Sequence, residues 1–250
     1  MAIVLRSPEE VEKLRASNRA VALVMKELRR AVKAGVTTLE LDALAEKLLL
    51  EMGAKPAFKG YRGYKHTLCT SVNEQVVHGV PSKRKLKEGD IISIDIGAKL
   101  DGYYGDHAAT MPVGEVDGAA RRLIRCCEEA LAKGIGKALS GRRLFDISHA
   151  IQAHAEGAGF SVVRAYVGHG IGTSLHEEPQ VPNFGEPGTG PELKPGMVLA
   201  IEPMLNAGVA DVKVLGDDWT VVTADARLSA HFEHTLAISA DGPDVLSLAP

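Results

Sequence analysis

At 250 residues, with 45% hydrophobic and 24% charged residues, the chain has an ordinary globular composition and enough length to bury a sizeable core. A formal net charge of −3 gives no global pull toward nucleic acid or an anionic membrane. No apolar run approaches the roughly 18 residues of a membrane span, and MAIVLRSPEE lacks the basic-then-apolar layout of a signal peptide. The expectation is a cytoplasmic, monomeric protein with no membrane segment and no specific nucleic-acid partner; three cysteines, with Cys126 and Cys127 adjacent, suit reduced thiols.

The chain opens on a helix signal. Ser7 can cap, Pro8 suits the first turn, and Glu10 completes a capping box. Val11, Leu14, Val21, Val24 and Leu28 then form a helical stripe. Thr37 and Glu40 repeat the box, and Leu41, Leu44, Leu48 and Met52 carry a second helix to Gly53. Phe58 to Tyr64 reads as an aromatic, glycine-rich loop, with strand-like residues over 68–77. Lys83, Arg84, Lys85 and Lys87 make a small basic run. Its plain reading is a solvated loop, and contact with an anionic surface such as the ribosome is the alternative it leaves open.

The next segment is written twice. LKEGDIISID at 86–95 becomes LKPGMVLAIE at 193–202, at a constant offset, with Leu, Lys, Gly and Ile identical. Each copy is a glycine turn followed by an apolar run that ends on a carboxylate, which predicts a buried strand with an acid at its end. Helical patterns return over 119–139 and from Leu144 to Gly157. Strands are expected near 162–167, 197–205, 212–214, 219–223 and 228–238, and residues 181–195 read as a long loop. Both halves run helix, helix, strands. The chain is therefore read as one catalytic domain over 1–250, duplicated at about 1–112 and 113–250 around a shared antiparallel sheet, of α/β class.

Ser93 and Asp95 face the opposite side from Ile92, Ile94 and Ile96. Asp101-Gly102 signals a hairpin, and the return strand reaches Asp106 on the same face as Asp95, either opposite or diagonal to it. Two carboxylates so close either share a proton or hold a cation. Glu202 ends the second copy of the repeat, Glu233 lies in the alternating stretch Ser229–Thr235, and His169 sits between Gly168 and Gly170, where small neighbours would let a ligand approach. Four carboxylates and an imidazole suit hard or borderline divalent ions better than a thiolate zinc site does.

These five residues, with the words CTSVNE, VHGVP, GHGIG, HEEPQVPNF, IEPM and FEHT, resemble the type I methionine aminopeptidases over nearly the whole chain. The resemblance implies the pseudo-two-fold "pita-bread" α/β fold. It also implies an enzyme that removes N-terminal methionine from nascent polypeptides and peptides, favouring a small second residue. Two divalent ions (Co, Mn, Fe or Zn) are implied, Asp95 on one, His169 and Glu202 on the other, Asp106 and Glu233 bridging. Such a pair lowers the pKa of a shared water. Glu202 is further implied as the proton acceptor, His176 as the oxyanion donor, and His78 as a partner of the scissile amide. Tyr64, Cys69 and Trp219 match the methionine pocket, where aromatic neighbours suit a thioether. Three positions depart from the family pattern: Leu175 stands where Phe is common, His231 where Gln is usual, and Phe58 where Cys is frequent. His66, His107, His149, His154 and His234 are read as structural.

Other readings are weaker. An Xaa-Pro metallopeptidase of the same fold usually carries an added N-terminal domain, whereas here the first capping box starts at Ser7. A non-catalytic relative would be expected to lose ligands, and all five are present. Gly168-His-Gly170-Ile-Gly172 is followed by Thr173 and lacks the dinucleotide pattern.

Overall fold

The structure is a computed structural model and describes residues 2–249. α1 (Pro8–Ala31) and α2 (Thr38–Glu51) begin on the two predicted capping boxes, each with both reciprocal hydrogen bonds formed. Such caps contribute about 1 kcal/mol each. The buried stripe of α1, including Leu14, Val21, Met25 and Leu28, lies over β4 (Ile91–Leu100) and β5 (Tyr103–Pro112). Ahead of that hairpin come β1 (Lys55–Pro56), β2 (Leu68–Val72) and β3 (Gln75–Val77). The second half repeats the order with α3 (Gly118–Ile135), α4 (Leu144–Gly157), β6 (Ser161–Val162), β7 (Gly168–Gly170) and β8 (Glu177–Val181). It continues with β9 (Val198–Ile201), β10 (Met204–Asn206), β11 (Val212–Val214) and β12 (Val221–Thr223). β13 (Ser229–His231), β14 (Glu233–Ile238) and β15 (Pro243–Val245) close it.

The main antiparallel sheet runs β1-β4-β5-β14-β9-β7-β8, with β2 also on β4 and β15 on β14. The two copies of the repeated segment supply β4 and β9, which flank the central β5–β14 pair symmetrically. The turns leading into them are held alike. Leu86 exchanges backbone hydrogen bonds with Gly35 and Val36 just before α2; Leu193 does so with Gly141 and Arg142 just before α4. Helices against a curled antiparallel sheet are the α/β arrangement the sequence led us to expect.

Two long runs read as continuous strands are each broken. Residues 197–205 split into β9 and β10 at Glu202–Pro203, and residues 228–238 split into β13 and β14 at Phe232. Proline cannot donate to a ladder, and Phe232 N–H instead donates to the Pro203 carbonyl. Beyond that joint, β10 pairs with β13 on one side and β6 on the other in a separate small sheet, while β11, β12 and β3 form another. α3 ends at Ile135 rather than 139, with Gly136 as its C-cap. Of the expected strand over 162–167 only Val162 is in a strand, with Ser161 before it, and residues 165–167 border the cavity described next.

Candidate active site

Strand register brings the five predicted ligands together. Asp95 lies across from Ala108, and Ala108 across from Glu233. One step beyond the His234–Ile201 pair, the same register sets Glu233 across from Glu202. The neighbouring row on that face is Gly97, Asp106, Thr235, Ala200 and His169. Residues two apart on a strand share a face, so all five project to one side, with small Ala108, Ala200 and Gly97 leaving space between them. Asp95 and Asp106 are thus diagonal, in adjacent rows. Within the second row, Thr235 Oγ1 donates to the Asp106 carbonyl at 2.9 Å and ties β14 to β5 beside the acids.

Gly168 and Gly170 have a different use from the one expected. A Cβ on Gly168 would run into the Ala200 carbonyl oxygen, and one on Gly170 into the Glu178 carbonyl oxygen. The glycines admit neighbouring backbone, and so let β7 carry His169 into the site.

All ten residues given a site role by the resemblance border one cavity of about 410 Å³: His78, His176, Glu202, Asp95, Asp106, His169, Glu233, Tyr64, Cys69 and Trp219. Asp106, His169 and Glu233 are buried and offer ligand atoms within 4.8 Å of one another. His169 Nε2 is 3.5 Å from Glu202 Oε1 and 4.0 Å from Asp106 Oδ2. Its Nδ1 is 2.9 Å from the Gly170 carbonyl, an acceptor only, so Nδ1 carries the proton and Nε2 presents a lone pair. A lone pair aimed at two carboxylates is repulsive unless a cation or a proton lies between them. Asp95 Oδ1 and Glu233 Oε1 are likewise buried without a hydrogen-bond partner.

Electrostatics agree. Burial pushes Asp95 up to about 7, aided by Glu202 and opposed by His231. Burial pushes Glu202 up to about 8. Asp106 is raised by burial and then by Asp95 and Glu202; Glu233 by burial and then by Asp106, Glu202 and Asp95. The imidazoles go the other way. Burial holds His169 at about 3 and His78 at about 4, and lowers His176 as well. Crowded acids beside neutral imidazoles are the donor set of a divalent-cation site.

The apolar end of the cavity adjoins the acids directly, because Cys69 pairs with Asp95. Tyr64 donates to the Leu68 carbonyl at 2.8 Å and meets Trp219 edge-on, centroids 4.9 Å apart. Leu175 is buried in the same apolar cluster, and Phe58 packs against Gly97. His78 sits at φ 58°, a costly backbone for a non-glycine residue, with its ring edge-on to Tyr166. His176 lines the cavity with its Nδ1 2.9 Å from the Tyr61 hydroxyl.

Sequence reasoning missed Tyr61, Arg62, Tyr166 and Gln180, which also line the cavity. The aromatic loop over 58–64 was a signal for the first two; loop residues 165–167 offered none. Four of the five histidines read as structural have structural surroundings. His107 and His234 stack at 4.8 Å on the helical side of the sheet, while His66 and His154 lie beside Asp42 and Glu129. His149 is exposed. Among the described residues no helix is long and apolar enough to cross a membrane.

Residues 12–240 match metallopeptidase family M24. Methionine aminopeptidase 1 of Bacillus subtilis (strain 168) is 54% identical over 245 residues, covering 98% of this chain and 99% of the relative. The crystal structure of methionine aminopeptidase from Thermotoga maritima superposes with a TM-score of 0.97 at 48% identity, over 99% of this chain and 100% of the other. The prolidase from Pyrococcus horikoshii OT3 shares the fold alone, at 22% identity and a TM-score of 0.80, with 99% of this chain matching 64% of that one. The lone pair of His169, the acids around it and these two near-full-length likenesses lead to one conclusion: the chain belongs to the type I methionine aminopeptidases of metallopeptidase family M24.

Proposed function

We propose that this enzyme removes the initiator methionine from nascent polypeptides and peptides, favours a small second residue, and uses two divalent ions of Mn, Fe, Co or Zn. The observation that carries the reading is the convergence of the His169 lone pair and the orphaned oxygens of Asp95 and Glu233 beside an apolar pocket. Asp95, Asp106, His169, Glu202 and Glu233 would hold the ions. Divalent ions held there would supply Lewis-acid chemistry for the carbonyl and the water.

The chain's own groups do the rest. The methionine side chain enters between Tyr64, Cys69 and Trp219. Water oxygen attacks the methionyl carbonyl carbon while Glu202 takes its proton, then returns it to the departing peptide nitrogen, leaving free methionine and a peptide one residue shorter. Burial raises the proton affinity of Glu202, which suits a group that must hold a proton between the two steps. His176 donates to the carbonyl oxygen as charge develops on it. With Nδ1 engaged by Tyr61, its Nε2 is the nitrogen free for this. His78 hydrogen-bonds the scissile amide.

We read residues 1–250 as one catalytic unit with halves of about 1–112 and 113–250, supported by the matching turns at Leu86 and Leu193, and as a cytoplasmic monomer. The exposed run Lys83, Arg84, Lys85 and Lys87 is the surface we assign to ribosome contact. The test of function is mass spectrometry of peptides beginning Met-Ala, Met-Gly and Met-Lys, incubated with Mn²⁺ or Co²⁺. Loss of methionine from the first two but not the third is expected. Equal cleavage of Met-Ala and Met-Lys would remove the small-residue preference, and preferential cleavage of Ala-Pro peptides would make the enzyme an Xaa-Pro peptidase.

A further inference from the structure

We propose that His231 is a positioning residue for Glu202: its Nε2–H holds one carboxylate oxygen of Glu202, so that the other faces the cation site. This rests on the reading of Glu202 as metal ligand and proton carrier.

The argument starts from an orphan. His231 is only 2% exposed, and its Nε2 is buried with no hydrogen-bond partner. The atom facing it is Glu202 Oε2, at 3.5 Å. That is a few tenths of an ångström beyond an ordinary N–H···O contact. The cost of leaving a buried imidazole nitrogen unpaired favours closing the gap. Glu202 Oε1 lies 3.5 Å from His169 Nε2, which is a lone pair because the proton of His169 is on Nδ1. The two oxygens of Glu202 therefore meet two imidazoles with opposite needs. At Oε1, lone pair faces lone pair, and a cation, or a proton in its absence, reconciles them. At Oε2, an N–H from His231 satisfies both atoms.

His231 is built to stay in place. Its N–H donates to Thr110 Oγ1 at 2.8 Å, Thr110 Oγ1 donates to the His231 carbonyl at 2.9 Å, and Ser93 Oγ lies 2.8 Å from Thr110 Oγ1. With the Thr110 hydroxyl proton committed to His231, Ser93 is the donor in that last contact. The chain Ser93→Thr110→His231 thus ties the end of β13 to β5 and β4. Glu202 and His231 lie on either side of the joint at Pro203 and Phe232, where strands pass from the main sheet to the small one. The bend brings an acid of the large sheet against an imidazole of the small one.

The experiment compares the parent with His231→Gln, whose side-chain amide nitrogen reaches about as far as imidazole Nε2, and His231→Leu, which has no donor. With a Met-Ala peptide and saturating Mn²⁺, His231→Leu should lose about 10–100-fold in kcat, the range for removing a partner of a metal-ligating group. KM should stay within about threefold, metal stoichiometry by calorimetry should match the parent, and His231→Gln should recover most of the rate. A second measurement uses the chelated parent and requires no activity. Nitrogen NMR of its histidines should show His231 protonated on Nε2, with a signal that moves in Glu202→Ala. His231→Gln as impaired as His231→Leu, an unimpaired His231→Leu, a lost metal equivalent that Gln does not restore, or an Nε2 without a proton would each overturn the assignment. A parent that leaves Met-Ala peptides intact would instead remove the proposed function, and the NMR result would then decide the His231–Glu202 contact by itself.

Discussion

Replacing Asp106 by asparagine tests the metal centre through stability, with no substrate needed. Asp106 is 4% exposed, diagonal to Asp95 and within reach of His169 and Glu233. Its carboxyl is driven up by burial and then by the charges of Asp95 and Glu202. Asparagine keeps the shape, and its oxygen can still accept the His107 N–H that Asp106 Oδ1 accepts at 3.2 Å. The chelated variant should therefore be at least as stable as the chelated parent, because one of the mutually repelling acids is gone. The metal response should reverse that order. Metal binds the folded cluster and hardly binds scattered ligands in the unfolded chain, so it stabilises the parent by RT ln(1 + [L]/Kd), about 2.7 kcal/mol at a hundredfold excess over Kd. For a chain of this size that is about 5–11 °C in Tm. A hundredfold weaker Kd in Asp106→Asn would leave about 0.4 kcal/mol at the same metal concentration. Asp101→Asn is the control, since Asp101 is exposed at the β4–β5 turn with φ 48°, a conformation asparagine tolerates. Thermal unfolding of the three proteins, chelated and titrated with Mn²⁺ or Co²⁺, reads all these quantities. An undiminished metal shift in Asp106→Asn would refute its role as a shared ligand, and no shift in the parent would refute the metal site.

The same chelated protein should lose stability as pH rises from about 7 to 9. Folded-state values of about 7 for Asp95 and about 8 for Glu202 lie above those of the unfolded chain, so the native state holds protons that unfolding would release. That contribution is present at low pH and is lost as pH rises through the folded values. His169 and His78, held low, act oppositely, but only below their ordinary value of 6.5, so above pH 7 the carboxyls decide the sign. A Tm that stays flat or rises over that window in chelator would contradict the crowding of acids, and saturating Mn²⁺ should flatten or invert the fall. His176→Ala should bind metal like the parent while losing about 10²–10³ in turnover, the usual effect of removing one oxyanion donor. Steady-state kinetics with calorimetry checks this, and abolished metal uptake would assign His176 a different role.

Much of this protein is determined locally. The Ser7–Glu10 and Thr37–Glu40 boxes start helices wherever the chain is placed, because cap and capped N–H groups are three residues apart. The repeat 86–95 and 193–202 specifies two apolar strands that end on acids, and strand alternation puts Asp95 and Asp106 on one face. What the sequence could not decide depends on partners distant along the chain. The row that aligns Asp95 with Glu233 and Glu202 exists only once β5 pairs β14 and β14 pairs β9. Pro203 and Phe232 interrupt runs that periodicity reads as continuous, since their hydrogen bonding is settled by each other. Gly168 and Gly170 look like room for a ligand until the carbonyls of Ala200 and Glu178 fill that space. The tautomer of His169 is set by a neighbouring carbonyl, and the place of His231 by Thr110 and Glu202. Residue type supplies the chemistry a side chain is capable of; which lone pair or proton it presents is fixed only by the atoms packed around it.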